Sequence, residues 1–270
     1  MSQISGGVLR EEKGRPLLRS LTVLTAVLGG VAIVLFSGVA PFESYNISAP
    51  SMVPTLMTRD HILVDRHAFG WFENHVPPRG EIIVFRNPEN PEEKYLKRVV
   101  GLPGDRIATK GDVLYINDWP VPRCRAGRAS ARSGNGPHPG EVFVEFLGDF
   151  SYLVFHDQSL GPLSDSSIGP FVVSPGELFV MGDNRENSFD SRSWFSRGGG
   201  RGGGLPLDLL LGRASVVWMT AREGARSELH FIKLDAPHCR SMLSPETCEG
   251  MKRCLSERPS RDATNPPPPR

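Results

Sequence analysis

From Ser20 to Phe42 the chain carries no charged side chain, and this run constrains the molecule more than any other stretch. It includes Leu21, Val23, Leu24, Val27, Leu28, Val31, Ile33, Val34, Leu35 and Phe36. As a helix it would be roughly 34 Å long, enough to cross the hydrocarbon core of a bilayer. Arg10, Lys13, Arg15 and Arg19 precede it, and the next basic residue is Arg59. The excess of cations before the run predicts residues 1–19 in the cytoplasm, a span over 20–42, and the remainder outside. A cleaved secretory leader is the competing reading, because Gly38-Val39-Ala40 supplies small residues at its end. The run is longer than an ordinary leader core, and Pro41 would follow the cut. The expectation is therefore an uncleaved single-pass anchor with an extracytoplasmic bulk.

The charge balance excludes a global nucleic-acid field, since 31 basic residues face 30 acidic ones for a net charge of +1. Hydrophobic residues make up 39% of the chain, enough for a real core. With 29 Gly and 24 Pro, a turn-rich β fold is favoured over a helical bundle. Short β-rich runs recur at residues 61–64, 81–85, 95–100, 113–116, 141–146, 152–156, 177–181 and 214–220. The reading is a mostly β domain over 43–237, with a smaller β insertion at about 118–175. Within the insertion, Arg123 to Gly140 is basic, rich in Gly and Ser and aperiodic, so a mobile loop is expected. The end of the chain, 238–270, contains Cys and Pro and is expected to be disordered. The four cysteines contain no C-x-x-C pair. In an oxidising compartment they allow two disulfides in three connectivities. Their spacings fit no common zinc pattern, so no metal site is expected.

Three polar segments carry candidate chemistry. Ser51 lies in Ala49-Pro50-Ser51-Met52-Val53-Pro54-Thr55-Leu56, where flanking prolines fix the backbone. Lys97 sits inside an apolar strand run, on the face of Tyr95 and Val99. Gly182 to Arg192 is a dense polar loop after a strand. A serine hydroxyl is a weak nucleophile and needs a neighbouring base. A neutral amine can serve if burial brings lysine down from its reference pKa of about 10.4 towards 7. That chemistry requires Lys97 desolvated, touching Ser51, and held by a hydroxyl such as Ser188. The seven histidines sit in no matching motif.

Together these segments resemble bacterial type I signal peptidases, the Ser/Lys leader peptidases. Ser51-Met52-Val53-Pro54-Thr55-Leu56, Arg79 to Phe85, Lys97 to Asp105 and Gly182 to Arg192 follow that family's four motifs in order and spacing. The resemblance implies a mostly β catalytic fold behind a membrane anchor, in the bacterial cytoplasmic (inner) membrane. It implies Ser51 as nucleophile and its own N–H as an oxyanion donor. Lys97 would be the general base and Ser188 its orienter. Asp190 and Arg192 would brace the site, while Asp183 and Arg185 would shape the loop. Ile47, Met52, Leu56 and Leu96 would line shallow pockets. The edge strands Tyr45 to Ser48 and Arg79 to Phe85 would hold the substrate extended, and Ile83, Val84 and Tyr95 would be further substrate-binding residues.

The implied substrates are secretory preproteins cut after small A-x-A residues, through an acyl-enzyme. The implied enzyme is a monomer without metal or cofactor that binds the bilayer and no nucleic acid. Two positions depart from the pattern. Ala49 stands where a Ser or Thr often supplies a second oxyanion donor, and Pro50 stands where Gly is common. The tail from Cys239 has no counterpart. A self-cleaving repressor protease would carry a DNA-binding headpiece, which is absent. An inactive binding module would usually have lost Ser51 or Lys97, and both are present.

Overall fold

The structure, a computed structural model, describes residues 23–30, 41–69, 76–133, 136–160, 167–195, 202–221 and 227–269. The chain divides into two units, Met1–Pro41 and Phe42–Arg270. In the first, residues 23–30 are helical, with Val23, Leu24, Val27 and Leu28 exposed. The rest of the expected span up to residue 40 lies outside the described residues, as do residues 1–19. Among the described residues no helix is long and apolar enough to cross a membrane. The expected boundary at Phe42 shifts, because Phe42 already opens the first strand.

Among the described residues the second unit contains three antiparallel sheets. The largest is eight-stranded. In spatial order it contains β1 (Phe42–Asn46), β2 (Asp60–Asp65), β14 (Leu210–Thr220), β3 (Ile82–Arg86), β4 (Lys94–Gly101), β12 (Glu177–Met181) and β13 (Leu205–Pro206). The eighth, β15 (Glu228–Lys233), pairs with β14. β5 (Arg106–Lys110), β6 (Val113–Ile116), β7 (Trp119–Pro120) and β11 (Ser167–Val172) form a four-stranded sheet. β8 (Arg123–Ser133), β9 (Gly136–Leu147) and β10 (Phe150–Asp157) form a three-stranded one.

The sequence pattern explains the placement of the central strands. β2 alternates, burying Asp60, Ile62 and Val64 while the residues between are partly exposed. β3 is apolar at four consecutive positions because it separates two cores. Ile82 and Val84 pack with Ile62, Val64, Met52 and Leu56, whereas Ile83 and Phe85 pack with Val99, Val180 and Trp194. β3 also pairs on both sides, with β4 over Ile82–Arg86 and with β14 at Ile83, Val84 and Phe85. The expectation that residues 79–85 form an edge strand is therefore corrected: β3 has no free edge to offer. The turn before it needs Gly80, whose φ is +93° and whose missing Cβ would lie 2.5 Å from Phe150.

Two further expectations are corrected. Residues 123–133 are the long strand β8 and 136–140 the start of β9, paired from Arg123↔Glu145 to Ser133↔Gly136 with a shift between Arg125 and Gly127. Composition hid them because their outer face carries no apolar alternation. Their inner face is covered instead by the C-terminal tail, which was expected to be disordered. There Ser244 caps a helix over Pro245–Ser256, accepting a hydrogen bond from the Thr247 N–H at 3.2 Å. Cys248, Met251 and Cys254 form its buried stripe and pack with Ala126, Val142, Val144 and Phe155. Disulfides Cys124–Cys254 and Cys239–Cys248 resolve the open connectivity. Gly250 lets the helix lie directly on β8, since a Cβ there would sit 1.8 Å from the Ala126 carbonyl oxygen. Even the proline-rich end is held, with Asn117 Nδ2 donating to the Pro267 carbonyl at 2.7 Å.

Candidate active site

β1 runs into a short 3₁₀ turn, Pro50–Met52, that carries Ser51. Pro50 begins the turn, where its missing N–H costs nothing. Met52 is buried in the core beneath, so the turn cannot rotate freely. Asn184, from the loop after β12, fixes it from the other side. Its backbone N–H donates to the Ser51 carbonyl at 3.0 Å and its side-chain amide to the Pro50 carbonyl at 3.1 Å.

β4 delivers Lys97. Two-residue alternation turns Arg98 to the opposite face and leaves the lysine beside Tyr95, with Nζ 5.3 Å from that ring. Lys97 Nζ lies 2.9 Å from Ser51 Oγ and donates to the Leu96 carbonyl at 3.0 Å. Only 4% of the lysine is exposed. Burial pushes the amine down from its ordinary 10.5 to about 8, and Arg192 adds to the fall. Asp190 and Asp183 oppose it without cancelling it.

The loop Gly182–Arg192 supplies the buttress. Burial alone would raise the Asp190 carboxyl, but Arg192 and the Gly182 N–H outweigh that and hold it below the usual carboxylate range. Arg192 Nη2 and Nε meet the two Asp190 oxygens at 2.7 and 2.8 Å. Asp183 is fully buried and takes a bidentate fork from Arg98, at 2.8 and 2.6 Å, and the Thr55 hydroxyl at 2.5 Å. Arg185 pairs with buried Glu145 at 2.6 Å, which ties the loop to β9. Ser188 packs against Gly182, where a Cβ would lie 2.3 Å from its Oγ and 2.5 Å from the Ser51 carbonyl oxygen. Its Oγ is buried and makes no hydrogen bond to Lys97, so the lysine's second contact is the Leu96 carbonyl. Missing from the sequence reading are Arg98, Thr55, Asn184 and Glu145. The first three lie inside the quoted motifs, and a cation in an apolar strand could have flagged Arg98.

A cleft of about 330 Å³ opens at Ser51 and Lys97. Residues 45–52 form one wall and 94–97 the other, with Val84, Asn187 and Phe189 among the remaining lining. Tyr45, Ile47, Met52, Val84, Tyr95 and Leu96 thus face it as expected. Leu56 and Ile83 do not; both are 0% exposed and belong to the cores on either face of the large sheet. Beside the cleft, β12 pairs with β4 only from Arg98 onward, so among the described residues Lys94–Lys97 have an unpaired side. Among the described residues no cluster of His, Cys, Asp and Glu could hold a metal.

A serine hydroxyl against a desolvated amine, beside an open strand edge, is the equipment of a hydrolase that works on extended peptides without histidine. The family model described as "Signal peptidase, peptidase S26" matches residues 20–219. A signal peptidase I of Pseudomonas aeruginosa is 34% identical over 220 residues, covering 73% of this chain and 72% of that protein. A signal peptidase I of Rickettsia typhi is 28% identical over 217 residues, covering 71% and 77%. One of Pseudomonas fluorescens is 34% identical over 205 residues, covering 69% and 68%. The chain belongs to the signal peptidase family, peptidase S26, and is a serine peptidase of that family.

Proposed function

We propose that this chain is a membrane-anchored endopeptidase that removes N-terminal signal peptides from secretory preproteins after small residues. The observation that carries the reading is the 2.9 Å approach of a buried Lys97 amine to Ser51 Oγ. With Lys97 neutral, its lone pair accepts the Ser51 proton as Oγ attacks the scissile carbonyl, while the Leu96 carbonyl holds an amine hydrogen and orients the group. The Ser51 N–H stabilises the oxyanion. Protonated Lys97 then gives its proton to the leaving amine, and water, activated by the same base, hydrolyses the acyl-enzyme. The substrate binds as an added strand on the open side of Lys94–Lys97, facing residues 45–49. Ile47, Met52, Val84 and Leu96 leave room for small side chains.

The uncharged run that begins at Ser20 and ends before β1 serves as the anchor, with residues 1–19 in the cytoplasm and the site outside it, in the bacterial inner membrane. The two disulfides support an oxidising location for the catalytic unit. A buried amine in contact with its nucleophile disfavours an inactive binding module. The deciding experiment is cleavage of a synthetic preprotein bearing an A-x-A site by purified protein, wild type against Ser51→Ala. The wild type should cut after the second alanine, and Ser51→Ala should not; no cut by the wild type overturns the reading.

A further inference from the structure

The nucleophile turn is gripped from a part of the chain that the site does not otherwise use. Asp60, fully buried at the start of β2, closes the segment that Ser51 begins. Its Oδ2 accepts the Met57 N–H at 2.9 Å, and its Oδ1 accepts the Thr220 hydroxyl at 2.6 Å. Its own carbonyl accepts the Ile47 N–H at 2.8 Å, so the same residue holds the cleft wall before Ser51. The cation that neutralises this carboxylate is Arg240, whose Nη2 donates to Asp60 Oδ2. Arg240 is itself buried.

Arg240 follows Cys239, which is bonded to Cys248 in the C-terminal helix. The Arg240 carbonyl accepts the Leu243 N–H at 2.9 Å, so the residue is part of the turn leading into that helix. The helix is in turn anchored to β8 by Cys124–Cys254 and by the Thr247 hydroxyl, which donates to the Arg128 carbonyl at 2.6 Å. Val53 and Met57, two and six residues past the nucleophile, pack in the same core as Leu243, Cys248, Met251 and Cys254. The segment after Ser51 therefore has an ion pair on one side and an apolar wall on another, both supplied by the tail.

We infer that Arg240 is a positioning residue for Ser51: through Asp60 it fixes the segment 51–60 that sets the nucleophile against Lys97. The inference rests on the Ser51–Lys97 reading above. A displacement on the order of 1 Å at a reacting group can cost about 10²-fold in rate, so loosening this brace should be visible in turnover.

The test uses the full-length protein and an A-x-A peptide. Arg240→Met should lower kcat about tenfold, with KM within about twofold, because the residue touches no substrate. The acid limb of kcat should move to higher pH as water reaches Lys97, which a mere loss of stability would not cause. Arg240→Lys, keeping a cation beside Asp60, should recover part of the loss. Should Arg240→Met fail to fold, the charge-free pair Asp60→Asn with Arg240→Met should fold and show the same fall in kcat. Wild-type kcat and acid limb in the folded variant, a change confined to KM, or no recovery with lysine each overturn the inference. An inactive wild type would instead overturn the dyad reading.

Discussion

Asn184 holds the nucleophile's backbone at two adjacent carbonyls: its N–H donates to Ser51 at 3.0 Å and its amide side chain to Pro50 at 3.1 Å. The two segments are far apart in sequence, so this clamp is what joins the Ser51 turn to the loop after β12. Asn184→Ala keeps the backbone bond and loses the side-chain one. We expect about 1 kcal/mol of lost stability and a several-fold fall in kcat, read from thermal melts and steady-state kinetics on one preparation. An unchanged kcat would show that the backbone bond alone suffices.

Lys97→Arg separates charge from basicity. Guanidinium stays protonated at any working pH and cannot accept the Ser51 proton. The variant should be inactive while its circular dichroism matches the wild type. Measurable turnover by folded Lys97→Arg would remove the general-base role.

The pH dependence follows from the lowered amine. Burial brings Lys97 from 10.5 to about 8, and in the proposed mechanism the neutral form is the active one. The sign is therefore fixed: kcat/KM rises with pH, gaining about one log unit per pH unit below about 8, and levels above it. A rate that still climbs past pH 10 would place the amine at its ordinary value and contradict its burial.

Ala49 leaves the oxyanion with one assigned donor, the Ser51 N–H. Ala49→Ser adds a hydroxyl to the cleft wall. It should raise kcat severalfold with little change in KM, since the new bond strengthens only in the transition state. A tenfold fall would mean that the wall is fitted to alanine.

Arg98 and Asp183 form a buried pair at 2.6 Å, with Thr55 as the third member. Arg98→Leu strands the Asp183 carboxylate and should cost about 3–5 kcal/mol. Adding Asp183→Asn removes the orphaned charge and should restore part of that loss in denaturant titrations. If the double variant is no more stable than the single one, the cost comes from packing against Tyr152, whose ring centroid lies 4.1 Å from the guanidinium carbon, rather than from charge.

The parts of this fold visible in the sequence are those with local cause. Lys97 in an apolar strand, prolines around Ser51 and the polar density of 182–192 pointed to the cleft described above, because each reflects a constraint within a few residues. The partners of those groups were harder to see. Arg98 gives no local signal of its role, since its carboxylate lies 85 residues on. The burial of Leu56 and Ile83 is hidden because proximity in sequence says nothing about which face of a sheet a side chain takes. β3 looks like an edge in sequence because its second neighbour, β14, lies more than a hundred residues later. The tail looks disordered because its helix has only three buried apolar residues and depends on β8 and two disulfides for its order.

Cys124 and Cys254 are 130 residues apart, and the bond between them closes that stretch of chain into a covalent ring, with the smaller ring of Cys239 and Cys248 inside it. β9, β12, β14 and the whole Gly182–Arg192 loop lie on this ring, whereas Ser51 and Lys97 lie on the open strand that leads into it. A protease cutting once between Arg125 and Arg253 would thus open the ring without releasing a fragment. The nicked chain would run as one species until a reductant was added and as two afterwards. For an enzyme working among other proteases, a surface nick would cost a loop but not the buttress.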